Sequence, residues 1–199
     1  AKTDTGTTFL AKHISAGGKH VCGIDGNGSL YCWGENRDGQ CGEQPPSAGG
    51  SADDVFVPTP VAGLDEGVVA VSIGDEHSAA LKDDGSVWEF GGNANGQLGD
   101  GTTTDSYMPV QSRITSVKTI AGGDEHMCGA KNDGTIWCWG YGVAVGLDGG
   151  TDQSMPQRAL TGGSVFAGGS AFHTCAIQNN ALMCWGQNDQ GQIGTGTID

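Results

Sequence analysis

The chain has 199 residues, with 9 Lys and Arg against 23 Asp and Glu, which gives a formal net charge of −14. A nucleic-acid surface needs clustered Lys and Arg that displace counterions from phosphate, and this sequence has no such cluster. No apolar run approaches the length of a transmembrane helix. Composition therefore excludes nucleic acid and membrane insertion as expected partners. The 37 glycines alternate with large apolar residues, which indicates short strands joined by tight turns.

In chain order, residues 1–12 are predicted to be an N-terminal extension that precedes four repeats. The repeats cover approximately 13–65, 66–115, 116–162 and 163–199. Each contains a histidine that follows small residues and, further along, an aromatic-Gly step. The histidines are His20, His77, His126 and His173, and the steps are Trp33-Gly34, Phe90-Gly91, Trp139-Gly140 and Trp185-Gly186. The spacing of the repeats is typical of propeller blades and similar arrays.

Inside each repeat the pattern predicts strands. The steps Asn27-Gly28, Asp84-Gly85 and Asp133-Gly134 are strong hairpin signals. A second turn follows the aromatic-Gly step at residues 36–42, 93–99 and 188–194. No stripe of helical period is present, so the sequence predicts an all-β fold.

The combination of Gly-Gly-x-x-His, Asp-Gly and Trp-Gly-x-Asn-x-x-Gly-Gln-Leu-Gly resembles the RCC1 (regulator of chromosome condensation) repeat over roughly residues 13–199. The resemblance implies four RCC1-like β-propeller blades, each with four antiparallel strands. The third copy departs from the pattern at residues 141–147, where a different loop is expected. Propellers of this family usually close with about seven blades. The chain is therefore expected to form a partial propeller or part of a larger assembly.

Six of the seven cysteines occupy matching positions in three repeats. The pairs are Cys22 with Cys32, Cys128 with Cys138, and Cys175 with Cys184. The second repeat has Ala79 and Glu89 instead, so the pair is present or absent as a unit. A hairpin loop with Gly28 at its positive-φ position places the first pair on opposite strands, and an Asn179-Asn180 turn does the same in the shorter fourth repeat. The pattern predicts three cross-strand disulfides.

Two alternatives to the disulfides are reduced core cysteines and metal ligands, although each hairpin would supply a metal with only two thiolates. Disulfides favour an extracellular, cell-surface or periplasmic location. Cys41 is left over and occupies the position of Leu98, Leu147 and Ile193. It is predicted to be a small buried hydrophobe with a free thiol, and an intermolecular bridge is the alternative.

No catalytic, cofactor or metal site is predicted. The four histidines recur in every repeat, and each is expected to bond backbone within its own blade. Trp33, Trp139 and Trp185 recur in the same way and are expected in the core. The acidic turns at residues 100–105 and 148–152 lack EF-hand spacing, so calcium is a weak alternative. No nucleophile motif is present, and the chain is not expected to be an enzyme.

The first repeat is the longest, and it contains a non-repeating segment whose composition predicts an exposed loop. Its candidate partner-binding residues are Gln44, Pro45, Pro46, Asp53, Asp54 and Phe56. The alternative is a surface insertion that the fold tolerates and that has no binding role. The sequence favours an extracellular protein-interaction module that binds a protein partner or neighbouring subunits through its blade loops. The second hypothesis is a structural repeat subunit of a surface layer, filament or multiprotein complex. Nucleotide exchange on a small GTPase and glycan binding are further alternatives.

Overall fold

The computed structural model describes residues 9–43, 54–147, 149–168 and 172–198, which form four antiparallel sheets, called blades 1 to 4 here. Blade 1 contains β1 (Ala11–Ala16), β2 (His20–Asp25), β3 (Leu30–Gly34) and β4 (Val55–Pro60). Blade 2 contains β5 (Val68–Ile73), β6 (His77–Lys82), β7 (Val87–Gly91) and β8 (Ser106–Gln111). Blade 3 contains β9 (Val117–Gly122), β10 (His126–Lys131), β11 (Ile136–Gly140) and β12 (Gln153–Leu160). Blade 4 contains β13 (Gly163–Gly168), β14 (His173–Gln178) and β15 (Ala181–Gly186).

Neighbouring strands within each sheet are consecutive in the chain, so every blade is a simple meander. The all-β prediction is confirmed, and so are the four blades, with three strands described in the fourth. In the part of the chain that the structure describes, the only helix is α1 (Gly142–Val145). It lies where the third repeat departs from the common pattern, and it ends at Gly146 in a left-handed conformation.

The hairpin turns depend on residues that accept a positive φ. Gly28 has φ 86°, and Asp25 Oδ1 accepts hydrogen bonds from the backbone N–H groups of Asn27 and Ser29 in the same turn. The shorter turn of blade 4 uses Asn179 and Asn180 at φ 50° and 65°. Asn tolerates the left-handed region better than other non-glycine residues, which is why this loop closes without glycine.

The apolar core lies between blades rather than within one sheet. One cluster joins Cys22, Ile24 and Leu30 of blade 1 to Ala80 and Phe90 of blade 2. Each blade therefore has an outgoing face, which packs on the next blade, and an incoming face, which packs on the preceding blade. The core of one blade is completed only by its neighbour, as in other repeat architectures.

Among the described residues, no other blade packs on the incoming face of blade 1. Trp139 of blade 3 is fully buried, whereas the equivalent Trp33 is only half-buried. Phe9 covers part of Trp33, with ring centroids 5.8 Å apart. The prediction that all three tryptophans are core residues is confirmed for Trp139 and wrong for Trp33. Trp185 is half-buried and packs against the core cluster that joins blades 3 and 4.

Candidate functional site

Two of the repeat histidines join neighbouring blades. His20 Nε2 lies 2.8 Å from Ser78 Oγ on blade 2, and Ser78 Oγ donates its proton to the Gln40 carbonyl at 2.8 Å. Because a hydroxyl has one proton, Ser78 accepts from His20, which assigns the Nε2–H tautomer to that ring. The expectation that the repeat histidines bond backbone within their own blade is wrong for His20 and for His126, whose partner is described next.

The same bridge recurs between blades 3 and 4. His126 Nε2 lies 2.8 Å from Thr174 Oγ1, which in turn donates to the Ala144 carbonyl at 3.1 Å. In both cases the hydroxyl belongs to the residue directly after the repeat histidine of the next blade. Sequence reasoning missed Ser78 and Thr174, because their significance is visible only when two blades are packed together.

The interface between blades 2 and 3 lacks this bridge. Blade 3 has Met127 at the position of Ser78 and Thr174, and neither ring nitrogen of His77 has a side-chain partner among the described residues. Burial lowers the pKa of His77 to about 3, and it lowers the pKa of His20 and His126 to about 4. These three rings are therefore neutral at physiological pH, and none of them is poised for acid–base chemistry.

Glu89 occupies the cysteine position of blade 2 and is completely buried. Trp139 Nε1 of blade 3 donates a hydrogen bond to Glu89 Oε1 at 3.1 Å. Burial raises the pKa of this carboxyl well above its usual range, and the contacts with Trp139 and Ser112 oppose that rise only in part. Blade 2 thus has a buried carboxyl at the position where blades 1 and 3 have a disulfide.

Replacing Glu89 with Gln is expected to stabilise the protein at alkaline pH. A carboxyl whose pKa is raised by folding contributes stability below its unfolded pKa, and this contribution is lost as the pH rises through the folded pKa. Gln keeps an acceptor for Trp139 and has no charge to bury, so the gain at pH 8 should be about 1–2 kcal/mol.

Urea unfolding at pH 5 and pH 8 measures this effect, with Glu66→Gln on an exposed loop as the control for charge removal. The gain should appear at pH 8, shrink at pH 5 and be absent in the control. An equal shift in both variants at both pH values would mean that burial of Glu89 does not govern the pH dependence.

The structure contains three cross-strand disulfides: Cys22–Cys32, Cys128–Cys138 and Cys175–Cys184. Each pair lies directly opposite in the register of its hairpin, with Cα atoms 4.1 Å apart. The first two bridges are completely buried against the next blade. Cys175 and Cys184 are half-buried, because no neighbour covers the outgoing face of blade 4 in the described residues.

Cys41 is a free thiol and only 1% exposed. Its Sγ donates to the Glu35 carbonyl at 3.3 Å, and its backbone N–H donates to Asn36 Oδ1 at 2.9 Å. Burial, reinforced by Glu43 and Asp54, raises the pKa of this thiol to about 12. The burial of Cys41 agrees with its predicted role as a small apolar side chain that keeps a free thiol.

The candidate partner loop is only partly described. Gln44, Pro45, Pro46 and Asp53 lie outside the described residues. Phe56 is on β4, the outermost strand of blade 1, and is 83% exposed, whereas Asp54 is half-buried. The structure thus leaves one large apolar side chain on the surface next to this segment.

The turn at residues 100–105 uses its acids for local bonding. Asp100 Oδ1 accepts hydrogen bonds from the backbone and hydroxyl of Thr102 at 2.8 Å each, and Asp105 Oδ1 accepts one from the Asn93 backbone at 2.8 Å. Asp148 lies outside the described residues, so the second acidic turn is only partly described. Across the described ranges, no three His, Cys, Asp or Glu side chains converge as metal ligands would.

A band of carboxylates occupies the end of the blades where the β1–β2, β5–β6 and β9–β10 turns lie. We call it the acidic rim, and it comprises Glu35, Asp38, Asp75, Glu76, Asp124 and Glu125. In blades 2 and 3, the turn that follows the aromatic-Gly step is hydrogen-bonded to the backbone of the acidic rim. Gly92 N–H donates to the Glu76 carbonyl at 2.7 Å, and Tyr141 N–H donates to the Glu125 carbonyl at 2.8 Å.

The carboxylates of the acidic rim repel one another. Burial, together with neighbouring carboxylates from other blades, raises the pKa of Asp38, Glu76, Asp124 and Glu125. The nearby cations are Lys19 and Arg37, each 3.4 Å from Glu35. The sequence marks this surface by an acidic pair directly before His77 and another directly before His126. The sequence analysis did not identify these pairs as a surface.

The opposite rim also carries carboxylates, but their pKa values are lowered rather than raised. Hydrogen bonds from Ser29, Ser86 and Thr135 lower the pKa of Asp25, Asp84 and Asp133, respectively, within their own hairpin turns. Those carboxylates stabilise the turns as anions. In the acidic rim, Asn95 Nδ2 donates a hydrogen bond to Glu125 Oε2 at 2.9 Å, and Glu35 pairs with Lys19 and Arg37. The pKa of Asp38, Glu76 and Asp124, in contrast, is raised by burial and by neighbouring carboxylates and is not lowered by hydrogen bonds of a hairpin turn.

The sequence matches the regulator of chromosome condensation (RCC1) repeat over residues 27–81 and 84–129. A second family of the same description matches residues 11–40, 68–97 and 117–143. The chain belongs to the RCC1-repeat family. The ultraviolet-B receptor UVR8 of Arabidopsis thaliana is 32% identical over 94% of this chain and 43% of the receptor.

Solved structures show the same RCC1 fold. The complex of Kap60 with yeast RCC1 (Prp20) aligns with a TM-score of 0.83 and 20% identity, over 98% of this chain and 48% of that chain. Human WBSCR16 aligns with a TM-score of 0.81 and 22% identity, over 98% of this chain and 52% of that chain. The RCC1-repeat chain therefore spans about half or less of the length of these relatives. None of its described helices is long or apolar enough to cross a membrane.

Proposed function

We propose that this RCC1-repeat chain is part of an extracellular, cell-surface or periplasmic protein-binding module. It acts without catalytic activity of its own, through the loops that join its strands. The three disulfides support the compartment, because such bonds persist under oxidising conditions and are rare in the reducing cytosol. The yeast RCC1 structure has Kap60 bound, which shows that a protein of this fold serves as a binding partner for another protein.

The acidic rim is the proposed binding surface. Carboxylates from three blades meet there, and their raised pKa values mean that the anionic form is disfavoured by burial and by its neighbours. A cationic partner relieves that repulsion, and a net charge of −14 adds long-range attraction. The contrast between the two rims carries the proposal: hydrogen bonds within the hairpin turns lower the pKa of Asp25, Asp84 and Asp133 on the opposite rim, whereas burial and neighbouring carboxylates raise the pKa of Asp38, Glu76 and Asp124 on the acidic rim.

Neutralising the acidic rim is expected to weaken binding to a cationic protein, with lysozyme as the probe. Glu76→Gln with Asp124→Asn removes two charges from the rim, and affinity at low salt should fall about tenfold. The matched control is Asp65→Asn with Glu66→Gln, which removes the same charge from exposed positions beside the opposite hairpin turns. The control should lose less than about twofold.

Titration calorimetry at low salt and at physiological salt provides the measurement. Equal losses in the two double variants would show that net charge, not the acidic rim, governs the interaction. Unfolding curves of each variant establish that the fold is intact before the affinities are compared.

A structural subunit of a larger assembly is the second candidate function. Exposed apolar side chains on the incoming face of blade 1 and the outgoing face of blade 4 favour it, since Ile14 is 65% exposed and Leu182 is 71% exposed. This role is compatible with binding through the acidic rim, because the open blade faces and the rim are different surfaces.

A further inference from the structure

The chain contains one Asn-x-Ser/Thr sequence, Asn27-Gly28-Ser29, which is the acceptor pattern for N-linked glycans and is called the sequon here. It lies in the hairpin turn between β2 and β3, on the rim opposite the acidic rim. The proposed binding surface does not use this turn. Such a pattern often occurs by chance, so the structure of the turn decides whether it can carry a glycan.

The position of Asn27 is occupied by Asp84 in blade 2 and by Asp133 in blade 3. Each of these carboxylates accepts two hydrogen bonds from the residue two positions later. Asp84 Oδ1 accepts from the backbone N–H and the hydroxyl of Ser86, at 2.8 and 2.6 Å. Asp133 Oδ1 accepts from the same two groups of Thr135, at 2.9 and 2.6 Å. The side chain at this position therefore closes the turn in blades 2 and 3.

In blade 1 a different residue closes the turn. Asp25 Oδ1 accepts hydrogen bonds from the backbone N–H groups of Asn27 and Ser29, at 2.8 and 2.9 Å. Ser29 Oγ donates to the Asp65 carbonyl at 2.6 Å. The Asn27 side chain is exposed and has no hydrogen bond with any residue that the structure describes. The turn of blade 1 therefore forms without the Asn27 amide, which stays available for modification.

The surroundings of the turn leave room for a sugar. A Cβ at Gly26 would meet no atom within 4 Å, so the turn is open to solvent next to Asn27. The Gly28 carbonyl accepts a hydrogen bond from the Val68 N–H of blade 2 at 3.0 Å, which holds the backbone of the turn in place. A glycan on Asn27 is therefore accommodated without displacing blade 2.

We propose that Asn27 carries an N-linked glycan, which is transferred from an oligosaccharide joined through pyrophosphate to a lipid carrier. The proposal rests on the extracellular, cell-surface or periplasmic location proposed above, because such acceptors lie on surface loops of secreted proteins. Asn27 Nδ2 forms a bond to the anomeric carbon of the first sugar as the bond from that carbon to the pyrophosphate oxygen breaks. The lipid pyrophosphate leaves with the electron pair of that bond, and a base of the transferase takes one proton from the amide.

A glycan at this position affects which end of blade 1 is open to a partner. The hairpin turns and the acidic rim lie at opposite ends of the blades. The glycan is bulky and polar, so it covers the end of blade 1 that the proposed partner does not use. It leaves the acidic rim open to a cationic protein.

Secretion of the full chain from a eukaryotic host cell tests the proposal. Intact mass should show one glycan on most of the chain, and treatment with peptide-N-glycosidase F should remove it completely. Release in heavy-oxygen water should label residue 27, which distinguishes enzymatic release from spontaneous deamidation of the Asn27-Gly28 step. A version of the chain that is extended beyond Asp199 by a flexible tail with a second sequon establishes that the host is competent.

Three variants examine the sequon within the folded turn. Asn27→Asp gives blade 1 the residue type that blades 2 and 3 already have, so the fold should be kept while the glycan is lost. Ser29→Ala should also lose the glycan, because it removes the hydroxyl of the sequon. Ser29→Thr should retain the glycan, since Thr135 occupies the same position in blade 3.

An unmodified Asn27 in cells that glycosylate the tail would overturn the proposal, and so would a glycan that persists in Asn27→Asp. If the unmodified chain has three disulfides and binds lysozyme through the acidic rim, only the glycan inference fails and the proposed function stands. Labelling of all seven thiols before reduction would instead remove the oxidising compartment on which both proposals depend.

Discussion

Acidification from pH 7 to pH 4 is expected to destabilise the protein by several kcal/mol. His20, His77 and His126 are buried and neutral, with pKa values lowered to about 4, 3 and 4. In the unfolded chain each histidine takes up a proton near pH 6.5. Between pH 6.5 and pH 4 the unfolded state therefore binds more protons, and stability falls as the pH falls. Each ring contributes about 3 kcal/mol to this loss at pH 4.

The carboxyls with raised pKa values act in the opposite direction but do not cancel the effect. Glu89 is fully buried and becomes easier to accommodate once it is protonated. The acids of the acidic rim are half-buried or exposed, so solvent screens their charges and their contribution is small by comparison. Three buried histidines against one buried carboxyl leave a net loss of stability in acid.

His77→Leu isolates one histidine from this total. His77 has no side-chain partner, and its polar contact with blade 3 is with the backbone of Asp124, so the substitution removes the titrating ring without breaking a hydroxyl bridge. The variant should be at least as stable as the unaltered protein at pH 7, and more stable by about 2 kcal/mol at pH 5.

Urea unfolding at pH 7, 6, 5 and 4 measures both effects. His20→Leu is the contrasting variant, since it removes the partner of Ser78 and should lose stability at pH 7. A profile that is flat between pH 6.5 and pH 4 would show that the buried histidines do not control acid stability.

Complete reduction of the disulfides is the second large effect expected. Each bridge closes a short loop, with sequence separations of 10, 10 and 9, and should contribute about 2–3 kcal/mol. Cys175–Cys184 should react first, because it is half-buried while the other two bridges are covered by the next blade. The buried pairs should be reduced only when the interblade core opens.

Alkylation followed by intact mass resolves the order of reduction. In denaturant without reductant, only Cys41 should be labelled, and after full reduction all seven cysteines should be labelled. Under mild reduction of the folded protein, peptide mapping should place the first labels on Cys175 and Cys184. Labelling of all seven thiols before reduction would contradict the disulfides and, with them, the proposed oxidising compartment.

Matched double variants separate the contribution of each bridge. Cys128→Ala with Cys138→Ala should cost more stability than Cys175→Ala with Cys184→Ala, because the first pair also loses contacts with blade 4. Equal costs would mean that loop closure alone accounts for the stabilisation.

The sequence by itself was sufficient for the features that depend on local geometry. The positive-φ residue Gly28 and the pair Asn179-Asn180 set the length of their hairpin loops, and loop length determines which residues lie opposite. The cysteines of one hairpin are therefore paired by a few neighbouring residues. The periodic aromatic-Gly steps predicted the blades for the same reason.

Tertiary structure decided what lies between the blades. His20 and Ser78 are 58 residues apart, and His126 and Thr174 are 48 residues apart, so no local pattern links them. The carboxylates of the acidic rim come from three different blades and acquire raised pKa values only when the blades are packed side by side. Hairpin register is encoded by adjacent residues, whereas burial and charge at a blade interface depend on a neighbour that the chain supplies a whole repeat later.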